Sequence, residues 1–229
     1  MNLTQWAAMK QKDRSFMEGV VHWETIPARP ARTAPFPPSM NPRIPQVLQK
    51  RGVTALYSHQ RASWDALERG ENIVIVTPTA SGKTLCYNLP VLEAILKQPD
   101  TRALYLFPTK ALGADQASAL YELVEALGED IKAFTYDGDT PAAARRAIRQ
   151  AGHVVVTNPD MLHANMLPGH TKWVKLFESL RYVVVDELHA YRGVFGSNLA
   201  NVIRRLKRLC AFYGSRPQFI CCSATIANP

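Results

Sequence analysis

Residues 73–84 read Ile73-Val74-Ile75-Val76-Thr77-Pro78-Thr79-Ala80-Ser81-Gly82-Lys83-Thr84, and a helical pattern runs on from 83 to about 97. Four consecutive β-branched residues make a short buried strand. A strand that runs through a loop ending in Gly-Lys-Thr into a helix brings backbone N–H groups and the positive end of a helix to one point. That combination suits a phosphate. In the full phosphate-loop pattern a glycine opens the loop; here Thr77 stands in its place, while Gly82, Lys83 and Thr84 match. Gly82 lets the backbone approach the anion, Lys83 reaches the β- and γ-phosphates, and the Thr84 hydroxyl can ligate Mg²⁺. Read without its context, Gly-Lys-Thr is only a tripeptide at the start of a helix.

The pattern on either side extends the same reading. Further short apolar runs lie at 103–107, 132–136, 153–157, 182–185 and 218–222. Helical stretches at about 110–127, 140–151, 158–167 and 195–213 separate them. The runs lack polar alternation, which predicts strands buried on both faces, as in a parallel sheet. Strands alternating with helices predict an α/β fold with a doubly wound, mostly parallel sheet. Ligands of such sheets bind at the carboxyl ends of the strands.

At one such end the run 182–185 passes into Asp186-Glu187-Leu188-His189. Asp186 is placed to hold Mg²⁺ opposite the Thr84 hydroxyl, and Glu187 to position and polarise an attacking water. The plainer alternative is two carboxylates capping the next helix. His189 reads either as a packing histidine or as a coupling group bonded across the site to the turn Ser223-Ala224-Thr225.

Composition sets the outer bounds. The chain has 229 residues, 47% hydrophobic and 20% charged, an ordinary globular balance that excludes wholesale disorder. No apolar run reaches the ~18–20 residues of a membrane span. Residues 1–20 lack the apolar core of a secretory signal, so no membrane partner is expected and the cytoplasm is the default location. The net charge of +8 favours a polyanionic partner. Arg145, Arg146 and Arg149 on one helix, with Arg204, Arg205, Lys207 and Arg208 on another, supply part of it, either as solvated faces or as a nucleic-acid track. Cys86, Cys210, Cys221 and Cys222 form no CxxC pair and read as buried free thiols.

Residues 1–26 hold one short helical pattern with Leu3, Trp6 and Met9 in register, followed by Phe16 and Met17. Residues 27–45 carry seven of the 16 prolines, interleaved with Arg29, Arg32 and Arg43. They read as a basic linker or as a strap over the next domain. The expected organisation is an N-terminal extension over 1–45 and a nucleotide-binding domain over 46–229. An end at Pro229, just past a strand, reads as the first lobe of something longer.

Taken together, these motifs resemble superfamily 2 helicases. Thr79 to Thr84, Asp186 to His189 and Ser223 to Thr225 look like their motifs I, II and III. Pro108-Thr109-Lys110-Ala111-Leu112 looks like motif Ia, residues 135–140 (TYDGDT) and 157–162 (TNPDML) like Ib and Ic, and Tyr57-Ser58-His59-Gln60 like the Q-motif. The order and spacing agree with a first RecA-like, P-loop NTPase lobe. Motif II ends in His rather than the Asp of DEAD-box RNA helicases. The run 186–197 (DELHAYRGVFGS), with 206–214 and 220–229, resembles the Hrq1/MrfA (YprA-type) DNA-repair helicases.

The resemblance implies an ATP-dependent DNA helicase or translocase that moves 3′ to 5′ on single-stranded or tailed DNA and acts in repair, nucleoid-associated when on DNA. It also implies a second RecA-like lobe and a C-terminal domain, neither of which lies within these residues. ATP and Mg²⁺ would be held by Tyr57, Gln60, Thr79, Ala80, Ser81, Gly82, Lys83, Thr84 and Leu85, with Thr84 and Asp186 on the metal. Gln60 would read adenine, and Tyr57 would stack on the base or merely pack. The catalytic set would be Lys83, Asp186, Glu187 and His189, and Ser223 and Thr225 would couple it to motion. Thr109, Lys110, Asp137, Gly138, Thr157 and Asn158 would touch the strand. Asn158 with Pro159 also reads as a helix cap, and Asp137-Gly138-Asp139 as a turn. Three other readings stay open: an RNA helicase or RNA-dependent ATPase, a translocase that remodels without unwinding, and a non-catalytic nucleic-acid-binding module on the same fold.

Overall fold

The computed structural model describes residues 1–25 and 30–224. It divides into two compact units, Met1–Ala31 and Arg32–Pro229. In the first, helices α1 (Leu3–Lys12) and α2 (Arg14–Met17) lie one after the other in the chain. Asn2 and Gln5 close a capping box on α1, each side chain accepting from the other's backbone N–H at 2.9 and 3.0 Å. Trp6 and Phe16 meet edge to face at 6.1 Å. No residue of either helix is buried, and Leu3, Trp6 and Met9 of the helical stripe are exposed.

The second unit opens with a two-residue strand, β1 (Thr33–Ala34), and helix α3 (Arg43–Lys50). Strand β2 (Leu56–Tyr57) pairs antiparallel with β1 and leads into α4 (Ser58–Glu68). The proline-rich stretch from Arg32 onward is therefore a strap: Arg61 donates to the Pro35 carbonyl at 3.1 Å, and Met40 is buried in the core. Helix α3 runs across the expected junction at residues 45 and 46, burying Ile44, Val47 and Leu48.

The main sheet then builds from β3 (Ile73–Val76), α5 (Lys83–Lys97), β4 (Arg102–Leu106), α6 (Lys110–Leu127), β5 (Ala133–Thr135), α7 (Ala142–Ala151) and β6 (Val154–Thr157). It finishes with α8 (Pro159–Met161), α9 (Val174–Glu178), β7 (Leu180–Val185), α10 (Gly193–Phe212) and β8 (Gln218–Ser223). The six strands are all parallel, in the order β3-β8-β7-β4-β6-β5. From β3 to β4 to β5 the chain steps one way across the sheet, and from β5 through β8 it steps back. Parallel crossovers are right-handed, so the outward and return helices must lie on opposite faces. They do: α5 and α6 share one core with α3 and α4, while α7, α9 and α10 share the other.

Alternation along each strand divides these cores. Ala103, Tyr105 and Phe107 face the first core and Leu104 and Leu106 the second; Val154 and Val156 oppose Val155, and Tyr182 and Val184 oppose Val183 and Val185. Full burial on both faces holds for β4, β6 and β7 only, apart from Arg181. The expectation is corrected for the other strands: Val74 of β3 is 55% exposed and Thr135 of β5 is exposed, each in a strand with a neighbour on one side only, and β8 is part-buried at Gln218, Phe219 and Cys221. The helix expected over 158–167 is an α-turn that widens into a π-helical turn, Leu162–Met166. Cys86, Cys210 and Cys222 are buried and Cys221 is half-buried, all as free thiols. Burial pushes the Cys86 thiol up to about 11, so it stays protonated.

Candidate functional site

Because all six strands are parallel, their carboxyl ends share one rim. The loop after β3 carries Thr77 to Gly82. Gly82 sits at φ +76°, and a Cβ there would lie 2.7 Å from Gln60 Nε2. A side chain there would be strained on both counts. Gln60 itself is buried. Its carbonyl accepts from Tyr57 N–H at 2.8 Å and its amide donates to the Gly82 carbonyl at 2.9 Å. One N–H and one lone pair of the amide remain beyond these two bonds, the complement of adenine N7 and N6. Thr77, in the place of the usual glycine, bonds its hydroxyl to that of Ser81 at 2.7 Å and so closes the loop on itself. Lys83 Nζ lies back over the loop, donating to the carbonyls of Thr77 and Pro78 at 2.9 Å each. Thr79 and Ala80 are exposed at the loop tip; Ser81 and Leu85 are half-buried.

Tyr57 is 43% exposed and stacks on His59 at 5.7 Å with an interplanar angle of 13°. Burial lowers the pKa of His59, the nearby Lys83 charge adds to this, and a Ser81 backbone hydrogen bond opposes it. Of this ring pair the sequence singled out Tyr57; His59, beside it in the same motif, was given no role.

Across the rim, the loop after β7 carries Asp186 and Glu187. Asp186 is buried; its Oδ1 accepts from Glu187 N–H at 2.8 Å and its Oδ2 from the Tyr87 hydroxyl at 3.1 Å. Glu187 holds φ +51°, a left-handed conformation that costs a non-glycine residue roughly 1–3 kcal/mol and that the Asp186 bond helps to fix. Gln116 of α6 ties the two sides together: its Oε1 accepts from Thr84 Oγ1 at 3.1 Å and lies 3.2 Å from the Tyr87 hydroxyl. Burial and the Asp186 charge raise the Tyr87 pKa far above its ordinary value, so it remains a donor. Neither Tyr87 nor Gln116 was singled out in the sequence. Tyr87 lies three residues beyond Thr84, on the same helical face, and that spacing was the available signal.

His189 Nδ1 lies 3.2 Å from Ser223 Oγ, 3.4 Å from Ala224 N and 3.2 Å from Glu187 Oε2. It can accept the Ala224 N–H or donate a proton to Glu187, but not both at once. Thr225 lies outside the described residues.

The ends of β4, β5 and β6 form a narrow cleft lined by Thr109, Lys110, Asp137, Thr157 and Asn158. Thr109 caps α6, accepting from Leu112 N–H at 3.3 Å. Lys110 Nζ is 2.6 Å from Asp139 Oδ2. Asp137 Oδ1 accepts from Asp139 N–H and from the Thr140 hydroxyl, so 137–140 is a tight turn that presents Gly138 beside Lys110. Arg145 braces this turn through the Thr140 carbonyl at 2.9 Å and lies over the Tyr136 ring, so this member of the arginine run is not a free solvated charge. Asn158 caps α8 through Met161 N–H at 2.8 Å. Thr157 differs from its neighbours: it is buried, and its hydroxyl donates to the Tyr136 carbonyl at 2.6 Å rather than facing outward.

Among the described residues no helix is long and apolar enough to cross a membrane. The family model for the DEAD/DEAH box helicase matches residues 57–229. The "Uncharacterized ATP-dependent helicase YprA" of Bacillus subtilis (strain 168) is 63% identical over 212 residues, 93% of this chain and 28% of the relative. The ATP-dependent helicase HRQ1 of Saccharomyces cerevisiae is 43% identical over 214 residues, 92% of this chain and 20% of the relative. A crystal structure of the DUF1998 helicase MrfA bound to DNA and AMPPNP superposes with a TM-score of 0.91 at 60% identity, covering 97% of this chain and 31% of that one. The chain thus spans less than a third of the length of each of these three proteins. With a six-stranded parallel sheet of this order carrying a phosphate loop opposite an Asp-Glu pair, and with that match over 57–229, the chain belongs to the DEAD/DEAH box helicase family, resembling YprA, Hrq1 and MrfA.

Proposed function

We propose that this chain is the ATP-binding lobe of an ATP-dependent DNA helicase or translocase that moves 3′ to 5′ along a single strand in DNA repair, within the cytoplasm and on the nucleoid when engaged. One observation carries the reading: the Thr84 hydroxyl and the Asp186 carboxylate are joined through Gln116 and Tyr87 across the phosphate loop. The likeness at 60% identity to a helicase bound to DNA and AMPPNP supports the choice of substrate.

The donor set suits Mg²⁺, which prefers oxygen ligands, here one hydroxyl and one carboxylate. When bound, the ion supplies charge neutralisation at the β- and γ-phosphate oxygens. The chain's own residues do the rest. Gly82 permits close backbone approach, and the loop N–H groups with the α5 N-terminus hold the phosphates. Lys83 swings from the Thr77 and Pro78 carbonyls onto the phosphate oxygens. Glu187 orients a water and takes its proton. Gln60 and Tyr57 hold the base. His189, on the Ser223–Ala224 turn, relays the state of Glu187 to β8. Thr109, Lys110, Gly138 and Asn158 hold the strand by its phosphates at the rim, a mode of contact that positions without reading sequence. Thr157 braces the rim from beneath. A second RecA-like lobe closes over this one and supplies the arginine that completes hydrolysis, worth about 10³–10⁵ in rate in comparable reactions.

The test is ATP hydrolysis by the protein that joins this chain to its second lobe, with no nucleic acid, single-stranded DNA, or RNA of equal sequence, and with Glu187→Gln as the control. Stimulation by DNA well above RNA is expected. Equal or greater stimulation by RNA would overturn the DNA assignment, and no hydrolysis under any condition would favour a binding module.

A further inference from the structure

Four side chains from three elements meet between the two halves of the candidate site: Thr84 and Tyr87 on α5, Gln116 on α6, and Asp186 after β7. The contacts are 3.1 Å from Thr84 Oγ1 to Gln116 Oε1, 3.2 Å from the Tyr87 hydroxyl to the same oxygen, and 3.1 Å from that hydroxyl to Asp186 Oδ2. Tyr87 has one hydrogen and two acceptors within reach, so it serves one of them fully at a time. We propose that Gln116 is a positioning residue through which strand contact at the N-terminal end of α6 sets the geometry of Thr84 and Asp186. The proposal rests on the function argued above and names the residue that links its two halves.

The chemistry runs in one direction at each atom. For the Thr84 oxygen to face a cation, its hydrogen must point elsewhere, to an acceptor. Gln116 Oε1 is that acceptor. Asp186 Oδ2 offers a cation both of its lone pairs when the Tyr87 hydrogen is turned away from it. The alternative acceptor is again Gln116 Oε1. One amide oxygen therefore both aims Thr84 and competes with Asp186 for Tyr87, and its position decides the outcome. The choice is between two hydrogen bonds from one buried hydroxyl.

The position of Gln116 is set by α6. That helix begins at the Thr109 cap and Lys110, on the rim, and Gln116 comes two turns later, about 10 Å along the axis. Gly113, between them, is buried, and its backbone N–H donates to the Thr109 carbonyl at 3.2 Å. The helix is continuous from the Thr109 cap through Gln116, so a strand phosphate that draws on Thr109 and Lys110 moves Gln116 as well.

The experiment measures binding, by calorimetry on the 229-residue chain. ATP is titrated with Mg²⁺ and with EDTA, each with and without a single-stranded oligodeoxynucleotide. The chain should bind the magnesium form more tightly. The oligonucleotide should tighten it further, by a factor within the ~5–150-fold range of coupled sites, and ATP–Mg²⁺ should tighten the oligonucleotide by the same factor. Gln116→Leu should lose both the magnesium preference and the coupling. Gln116→Glu keeps an acceptor oxygen and should restore the preference. Tyr87→Phe leaves the Thr84 bond in place and should keep the preference while losing the coupling. Magnesium preference and coupling both unchanged in Gln116→Leu would overturn the proposal, as would unchanged coupling in Tyr87→Phe. Loss of metal-free ATP binding in Gln116→Leu would also overturn it, by assigning the residue to the integrity of the loop. If the unsubstituted chain binds no ATP–Mg²⁺ at all, the functional reading itself fails. That result is separate from a chain that binds with the expected preference but is indifferent to Gln116.

Discussion

Gln60 Nε2 donates to the carbonyl of Gly82 at 2.9 Å, and the same nitrogen would lie 2.7 Å from a Cβ placed on Gly82. The Q-motif side chain is thus a strut that holds the phosphate loop as well as a candidate base contact. Its other end is fixed by Tyr57 N–H at 2.8 Å, so one amide ties the start of α4 to the loop.

The first prediction concerns Gly82→Ala. The left-handed backbone at Gly82 costs an alanine roughly 1–2 kcal/mol, and the new methyl displaces Gln60. At about 2–4 °C per kcal/mol for a chain of this size, the melting temperature should fall by roughly 2–8 °C. ATP affinity should fall with it, since loop and strut move together. Thermal unfolding alongside an ATP titration checks both.

Binding and turnover should separate between two other variants. Lys83→Ala removes an ammonium that makes charge-assisted hydrogen bonds, each worth ~1.5–3 kcal/mol, so ATP should bind roughly 10- to 150-fold more weakly. Glu187→Gln keeps the shape of the site and removes the proton acceptor. Hydrolysis should fall by roughly 10²–10⁴ with ATP affinity retained. Equilibrium binding and single-turnover hydrolysis, run on the same preparations, distinguish the two.

At the rim, a strand phosphate must compete with Asp139 for Lys110, since the two lie 2.6 Å apart on an exposed surface. Lys110→Ala should weaken binding of single strands of any sequence and reduce the slope of log K against log salt by roughly 0.7, the value for one lost phosphate contact on a single strand. Asp139→Asn should act oppositely and tighten binding at low salt. A salt titration with two unrelated oligonucleotide sequences tests both. An effect confined to one sequence would contradict the backbone-contact reading.

Much of this arrangement was legible in the residues. The alternation that splits Leu104 and Leu106 from Ala103, Tyr105 and Phe107 is visible as an unbroken apolar run, and α6 fills the helical stretch 110–127. What escaped depends on neighbours remote in sequence. The apolar run of β3 looks like that of β6, yet Val74 is exposed because β3 ends the sheet, and strand order is not written in a strand's own composition. Thr157 and Asn158 look alike as polar residues at a strand end, but the last residue of β6 turns inward to the Tyr136 carbonyl. Gln116 was invisible for a similar reason. It lies mid-helix between Asp115 and Ala117 with no motif around it, and only the fold places that face of α6 against Thr84 and Tyr87.

The last prediction comes from two histidines whose pKa values burial lowers, His59 and His153, from an ordinary 6.5. At His153 the neighbouring Arg102 adds to the effect, and the geometry agrees: Nδ1 accepts from Lys132 N–H at 3.0 Å, which a protonated ring could not do. Above pH 6.5 both rings are neutral whether the chain is folded or unfolded, and the full stability is present. As the pH falls below 6.5 the unfolded chain takes up protons before the folded one, so stability is lost until the pH reaches the lowered folded values. The urea midpoint should therefore be lower at pH 5.5 than at pH 7.5 with an unchanged m-value. His153→Gln, which cannot titrate, should narrow the difference between the two pH values, whatever it does to stability at either one. A difference as large as in the unsubstituted chain would show that His153 does not carry this dependence, and the bond from Lys132 would then have to survive protonation by moving to another acceptor.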